Sequence, residues 1–286
     1  MVSRFRDRVR RYCVKPVRRL IRRIAFFSER GTKRRMAWIV RRRLREETPY
    51  EPIQLGQKVS AAVREWEPRW LLIRTEIERY GASNLVDVGC AEGWFVRRSA
   101  EDLGCFAVGV EMDNERLWPN ELSRLHDDVE RCATIKARMS PASLEQLPRF
   151  DMALCLSVVH HVIREGGLDA GRAFIKSLAS RVDKAIVFEM GTSEENRMKW
   201  VDKMPPMPDG QAAFLKTYLE SAGLVNVRQL GASRSFRREA ERILMVGEPV
   251  YDRDGQPSRV TTGKHGSLEK RASGDTIEAS KAAAPE

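Results

Sequence analysis

Long apolar runs are missing from this sequence: none reaches the ~18 residues that a membrane-spanning helix needs. Cysteine is sparse too. Cys13, Cys90, Cys105, Cys132 and Cys155 are odd in number, scattered, and form no Cys-x-x-Cys pair. That excludes a disulfide framework and a thiolate zinc site, and it suits a reducing cytoplasm. No secretory signal is expected, because arginines interrupt every apolar stretch near the N-terminus. Internal repeats are absent. Acid is scarce in one place only: residues 1–47 hold 18 Lys and Arg against 4 Asp and Glu, a net +14. The other 239 residues hold 33 against 36, a net −3, so the overall +11 belongs to the first segment. The body therefore lacks the spread basic charge of many nucleic-acid enzymes. What is present is a chain of 286 residues with 42% hydrophobic content, enough for one sizeable α/β domain with appendages.

The informative stretch is 84–96, Asn-Leu-Val-Asp-Val-Gly-Cys-Ala-Glu-Gly-Trp-Phe-Val. Leu85, Val86 and Val88 read as a buried parallel strand. Gly89 and Gly93 bracket a tight loop, and Glu92 suits the positive end of a following helix. A dinucleotide loop would read G-x-G-x-x-G. Here the spacing is D-x-G-x-x-x-G, which resembles the S-adenosylmethionine (SAM) loop of class I methyltransferases. In that reading Asp87, Gly89, Cys90, Ala91 and Gly93 shape the methionine end of the site. A second strand, 106–111, ends in Glu111, 22 positions after Gly89. That is about one β-α-β unit, where an acid can hold ribose hydroxyls, with Met112 beside it.

Further strands are expected at 133–137, 152–156, 184–190, 224–230 and 242–246. Helices are expected at 58–80, 94–103, 113–127, 168–180 and 211–222. Trp66, Trp70, Ile73 and Ile77 form a core stripe on the first of these. After the third strand, where an acid often reads adenine, this chain has Arg138, Met139 and Ser140. Met139 can pack on the adenine face while backbone groups near Arg138 read its edge. Ser157, His160 and His161 follow a strand, where open α/β sheets bind ligands. Histidine can take a proton near neutral pH. One of His160 and His161 is expected to face substrate and the other to support the loop, with the choice open. Glu189 ends the next strand and is a second candidate for base work or substrate binding. Adjacent histidines diverge, and no carboxylate completes a ligand set, so no metal is expected. Residues 192–210 are long enough to form a substrate wall. Arg234, Arg237 and Arg238 can meet a phosphate or remain solvated.

Residues 1–47 read as a basic amphipathic helical arm, 48–57 as a linker, 58–248 as the main domain and 249–286 as a disordered tail. Arginines fill the polar faces of the arm beside Trp38, Ile39 and Val40, a pattern that suits an anionic membrane surface. RNA binding, a transit peptide and a solvated helix packed on the body are alternatives.

Leu85–Val96, Val108–Asp113 and Asp151–His161 together resemble class I SAM-dependent methyltransferases over roughly 58–248. The resemblance implies a Rossmann-like seven-stranded sheet with helices on both faces. Residues 155–162, with 186–189, Glu194 and Glu195, are similar to a narrower type. That type is the methyltransferase domain of bacterial O-antigen chain-terminating kinase–methyltransferases, although no kinase domain accompanies it. The expected activity is O-methylation of a glycan, lipid-linked sugar or phosphorylated acceptor by SAM. The expected location is cytoplasmic, peripheral to the inner face of the membrane. An RNA methyltransferase with a basic tether and a non-catalytic SAM-binding scaffold are the rivals.

Overall fold

The computed structural model describes residues 29–195, 198–235 and 240–251. In chain order these form α1 (Glu29–Glu46), β1 (Gln54–Leu55), β2 (Lys58–Val59), α2 (Glu67–Arg79), β3 (Asn84–Val88) and α3 (Trp94–Leu103). Then come β4 (Phe106–Glu111), α4 (Asn114–His126), β5 (Cys132–Lys136), α5 (Pro141–Leu144), β6 (Phe150–Leu156) and α6 (Val159–Ala179). The chain continues with β7 (Val182–Glu189), α7 (Gln211–Ser221), β8 (Leu224–Arg234) and β9 (Glu241–Pro249). Seven strands form one sheet in the order β5-β4-β3-β6-β7-β9-β8. The first five pair in parallel, while β9 runs antiparallel to both β7 and β8. The expected architecture is present: a seven-stranded α/β sheet covered on both faces.

Alternation along the central strands builds the two cores. Val86, Val88, Ala153 and Ile186 face α5, α6 and α7, meeting Ile163, Phe174, Ile175, Leu215 and Leu219. Leu85, Met152, Leu154 and Val187 face the other side, meeting Ile73 and Ile77 of α2 and Phe95 of α3. A parallel strand buried on both faces has no polar face to show, which is why these runs are continuously apolar.

Three expectations change. The helix anticipated over 58–80 begins only at Glu67, with Pro68 in its first turn. Proline is tolerated there because the first turn has no helical partner for its missing N–H, and further inside it would break the ladder. The stretch anticipated as a linker is instead packed down: Glu51, Ile53 and Leu55 are buried, and 54–55 pair with 58–59. The described part of the basic arm, α1, lies along α4 and buries Ala37 and Val40 against Ile53 and Leu55. Residues 1–28 of the arm, Arg237, Arg238 and the tail from 252 lie outside the described residues. The Gly166–Gly167 turn appears as a kink within α6, where Gly167 has φ 79°.

Candidate active site

The carboxyl ends of β3, β4, β6 and β7 converge on one edge. At β3, Gly89 and Gly93 adopt φ of 77° and 75°, which only glycine holds without strain. Gly89 leaves room for a side chain of its own fold: a Cβ there would stand 2.2 Å from Val158 Cγ2. Gly89 and Cys90 donate backbone N–H groups to Val110 at 2.7 and 3.1 Å. The Cys90 thiol turns inward against Gly109, where an added Cβ would approach its Sγ to 2.6 Å. Cys90 therefore holds the loop from behind, and burial pushes its thiol pKa up. Glu111 accepts from Ala91 N at 3.0 Å with one carboxylate oxygen. Its other oxygen accepts from Met112 N and Asp113 N at 2.7 and 2.9 Å. It thus ties the glycine loop to the start of α4, and each oxygen keeps lone-pair capacity for a hydroxyl. Met112 itself is exposed. Glu92 does not serve the helix dipole. Its carboxylate accepts from Tyr50 N and Glu51 N at 3.0 and 2.9 Å, fastening the 48–55 strap across the loop.

Asp87 is buried at the end of β3, and its Oδ1 has no hydrogen-bond partner. Burial raises its pKa to about 7, against the pull of Arg69. Nearby, Arg64 and Arg69 are fully buried, and each has an Nε and an Nη1 without a hydrogen-bond partner. A buried carboxylate oxygen without a hydrogen-bond partner, with arginines in the same neighbourhood that have donors to spare beyond their ion pair to Glu189, fits a zwitterionic amino-acid group, such as the methionine end of SAM. Asp87 would hold its ammonium, Arg64 and Arg69 its carboxylate, and Glu111 the ribose. Tyr50, over which Arg116 stacks at 5.1 Å, reaches toward Ser157 with its hydroxyl 3.4 Å from Oγ.

Glu189 is not a base. It is wholly buried, accepts from Arg64 Nη2 at 2.8 and 3.0 Å, and stands 3.3 Å from Arg69 Nε. Burial alone would raise its pKa, but Arg69, Arg64 and Arg242, with the Ser157 hydroxyl, hold it at about 2. A carboxylate so held keeps its charge and cannot accept a proton usefully. Ser157, at φ 65°, donates to Glu189 at 2.8 Å and accepts from Arg242 at 2.7 Å. Arg242 also grips Glu195 through two bonds of 2.8 and 2.9 Å. Ser157 thus belongs to an ion network, and its hydroxyl is already engaged.

The two histidines separate. His160 is buried, and its Nδ1 accepts from Gly191 N at 3.0 Å. Burial first, then Arg242 and His161, push its pKa well below the usual range, so it is a neutral loop support. His161 is exposed. Partial desolvation, then Arg164, Arg242 and Arg116, lower its pKa to about 4. Trp200, buried in the 192–210 stretch, lies 4.1 Å from the His160 ring and 5.3 Å from the His161 ring. Arg138 turns to the surface and pairs with Glu165 at 2.6 Å, while Met139 packs on the core beside α5 and α6. A groove of ≈ 740 Å³ lies elsewhere, between Glu194, Gln211, Arg234 and Glu241. Among the described residues, no group of three His, Cys, Asp or Glu side chains is gathered as a metal would require.

Sequence reasoning missed Tyr50, Glu51, Arg64, Arg69 and Arg242. Each sits in a stretch that reads as linker, helix face or late strand, and side-chain partners stand as far as 169 positions away, as Ser233 does from Arg64.

No family model matches the chain. Over 129 residues it is 30% identical to the O-antigen chain terminator bifunctional methyltransferase/kinase WbdD of Escherichia coli. That match covers 44% of this chain and 17% of WbdD. Over 196 residues it is 26% identical to the tRNA U34 carboxymethyltransferase of Pectobacterium carotovorum, covering 62% of this chain and 56% of that one. The chain thus matches about a sixth to just over half of the length of these relatives. Among solved structures, WbdD superposes with a TM-score of 0.59 at 21% identity, over 76% of this chain and 49% of that one. The N-terminal domain of EvdMO1 with SAH bound superposes with a TM-score of 0.54 at 22% identity, over 74% and 96%. Those likenesses establish the fold.

Proposed function

We propose that this chain, a methyltransferase of class I fold resembling WbdD, uses SAM to methylate an oxygen of a glycan, lipid-linked sugar or phosphorylated acceptor at a membrane surface. The observation that carries the reading is His161: exposed at the carboxyl edge, neutral, and flanked by Arg116, Arg164 and Arg242. The 129-residue likeness to an O-antigen chain terminator supports the glycan part. The EvdMO1 domain, solved with SAH and D-fucose, is a sugar-associated neighbour in fold.

SAM, when bound, supplies a methyl carbon made electrophilic by its sulfonium. The protein's share is placement: the acceptor oxygen must be held in line with that carbon, opposite the sulfur. Trp200 and Tyr50 wall the space, and excluding water there strengthens each charge contact. A histidine with a pKa near 4 removes a proton from a neutral hydroxyl poorly. An anionic acceptor changes this in two ways. A phosphate oxygen needs no deprotonation, and its charge beside His161 raises the imidazole pKa so that it can donate a hydrogen bond. The arginine-lined histidine therefore favours a phosphorylated acceptor over a neutral hydroxyl.

The test is to supply methyl-labelled SAM to the enzyme with fractionated extract of its own cells. Label in a lipid or polysaccharide fraction supports the reading, and label lost to phosphomonoester or phosphodiester cleavage supports a phosphate acceptor. Label removed by ribonuclease supports the second reading, RNA methylation, which the likeness to a tRNA-modifying enzyme and the basic arm favour. SAM binding with no label transferred to any fraction would leave a scaffold.

A further inference from the structure

Helix α1 carries two faces of opposite character. Ala37 and Val40 are buried against Ile53 and Leu55, with Leu44 and Leu122 packed around them. Lys33, in the early part of the helix, pairs with Asp128 just beyond the end of α4. These contacts fix the helix about its own axis. Beside the buried face runs an exposed one: Arg30, Arg34, Trp38, Arg41, Arg42 and Arg45. Their spacing of three and four places them in one outward stripe. Trp38 is 56% exposed and its neighbour Ile39 is 37% exposed.

Such a stripe is unfavourable in water alone. Like charges at i, i+4, as in Arg30–Arg34 and Arg41–Arg45, repel. Arg42 reaches Glu46 at 3.0 Å and lies over the Trp38 ring at 5.8 Å. Arg30, Arg34, Arg41 and Arg45 form no ion pair with a carboxylate among the described residues. Repulsion of like faces also argues against a second copy of this chain as the occupant. The occupant must be anionic, extended along a convex helix, and able to receive an indole in the stripe and an aliphatic side chain at its border, one position of helix rotation away. An anionic bilayer meets all three conditions: headgroups for the arginines, the interface for Trp38 and the acyl boundary for Ile39. RNA would use the arginines and stack on Trp38, but it leaves exposed Ile39 without a purpose. No described helix is long and apolar enough to cross a membrane.

We propose that the outward face of α1 is the surface by which this protein lies on an anionic lipid bilayer, with Trp38 at the headgroup level. This deepens the membrane part of the proposed function by naming the face. The same helix leads directly into the 48–55 strap fastened to Glu92 beside the glycine loop. Docking through α1 therefore sets the carboxyl edge of the sheet in a fixed relation to the lipid surface.

The six tryptophans, at 38, 66, 70, 94, 118 and 200, make the test specific, because residues 1–28 contain none. Full-length protein is mixed with phosphatidylglycerol vesicles, with pure phosphatidylcholine vesicles, and with each carrying brominated acyl chains. Binding is read by sedimentation and indole depth by quenching. The expected result is binding to phosphatidylglycerol only, weakened by salt, with quenching that Trp38→Phe removes. The double variant Arg34→Glu, Arg41→Glu should bind about a hundredfold more weakly. SAM affinity, measured in the same variants, should stay unchanged and reports that they fold. Binding to vesicles with no quenching assignable to Trp38 would overturn the proposal, because another segment would then carry the contact. So would absence of vesicle binding, or binding to poly(U) that the same charge reversals abolish. None of these readouts requires methyl transfer, so the acceptor reading can fail while this one stands, and the reverse.

Discussion

One position along a helix turns a side chain by about 100°, and that rotation gives His160 and His161 different duties. His160 accepts the Gly191 N–H and is packed between His161 and Trp200. His160→Ala leaves a buried donor unpaired and a cavity beside the indole. It should lower stability by about 1–3 kcal/mol in urea unfolding. His161→Ala should leave SAM affinity nearly intact and lower methyl transfer, and unchanged transfer would remove His161 from the reaction. Asp87 offers a separate handle. Its pKa of about 7 lies above the ordinary 3.8, so the folded chain binds this proton more tightly than the unfolded chain. Its sign is therefore that stability present at low pH is lost as pH rises through about 7. Asp87→Asn should gain stability relative to the parent between pH 5 and 8. A cationic ligand group favours the ionised form, so SAM binding near pH 7 should release about half a proton. Calorimetry in buffers of different ionisation enthalpy reads that number directly. Glu189→Gln should cost about 3–5 kcal/mol, because it strands buried arginines without their counter-ion. Loss of folding, with no selective loss of catalysis, is the outcome that separates this role from that of a base.

Elements differ in how openly the sequence declares them. The strands of the parallel sheet were legible because burial on both faces leaves an unbroken apolar run, as in Met152–Leu156. The glycine loop was legible through Gly89 and Gly93, whose positive φ values restrict the residue type. The 48–55 strap was not, since Pro49, Pro52 and the following Gly56 have the composition of a linker. What holds it is invisible locally: two backbone N–H groups reaching a carboxylate 41 and 42 positions on, and Arg97 Nη1 donating to the Gln54 carbonyl at 3.1 Å. The α2 start was misread because a continuous polar–apolar pattern ran through 58–66, and Pro68 decided the matter. The strap makes its own prediction. Glu92→Ala removes both anchors while leaving the sheet untouched. Amide exchange at Tyr50 and Glu51 should rise, and SAM affinity should fall about tenfold, a loss of roughly 1.4 kcal/mol. Unchanged exchange at those two amides would mean that α1 and Arg97 hold the strap without Glu92.

At the scale of the molecule, the candidate site is assembled from both halves of the sequence. Arg64 and Arg69 come from before the first sheet strand, Asp87 and the glycines from the first β-α-β unit, and Glu189 from the centre. Arg242 comes from β9, the last strand, and meets Glu195 and Ser157 there. Arg64 also bonds Ser233 of β8, 169 positions later. This has a consequence for synthesis on the ribosome. The strap and the glycine loop emerge first, yet the charges of Arg64 and Arg69 cannot be buried until Glu189 arrives, and that cluster is incomplete until Arg242 follows. Stalled nascent chains that expose residues through Glu189 but not β9 should be cut readily by protease and should not retain SAM. Chains that expose β9 should gain protease resistance and SAM retention in a single step. That outcome would time cofactor capture to the end of translation, when nearly all of the described body has been made.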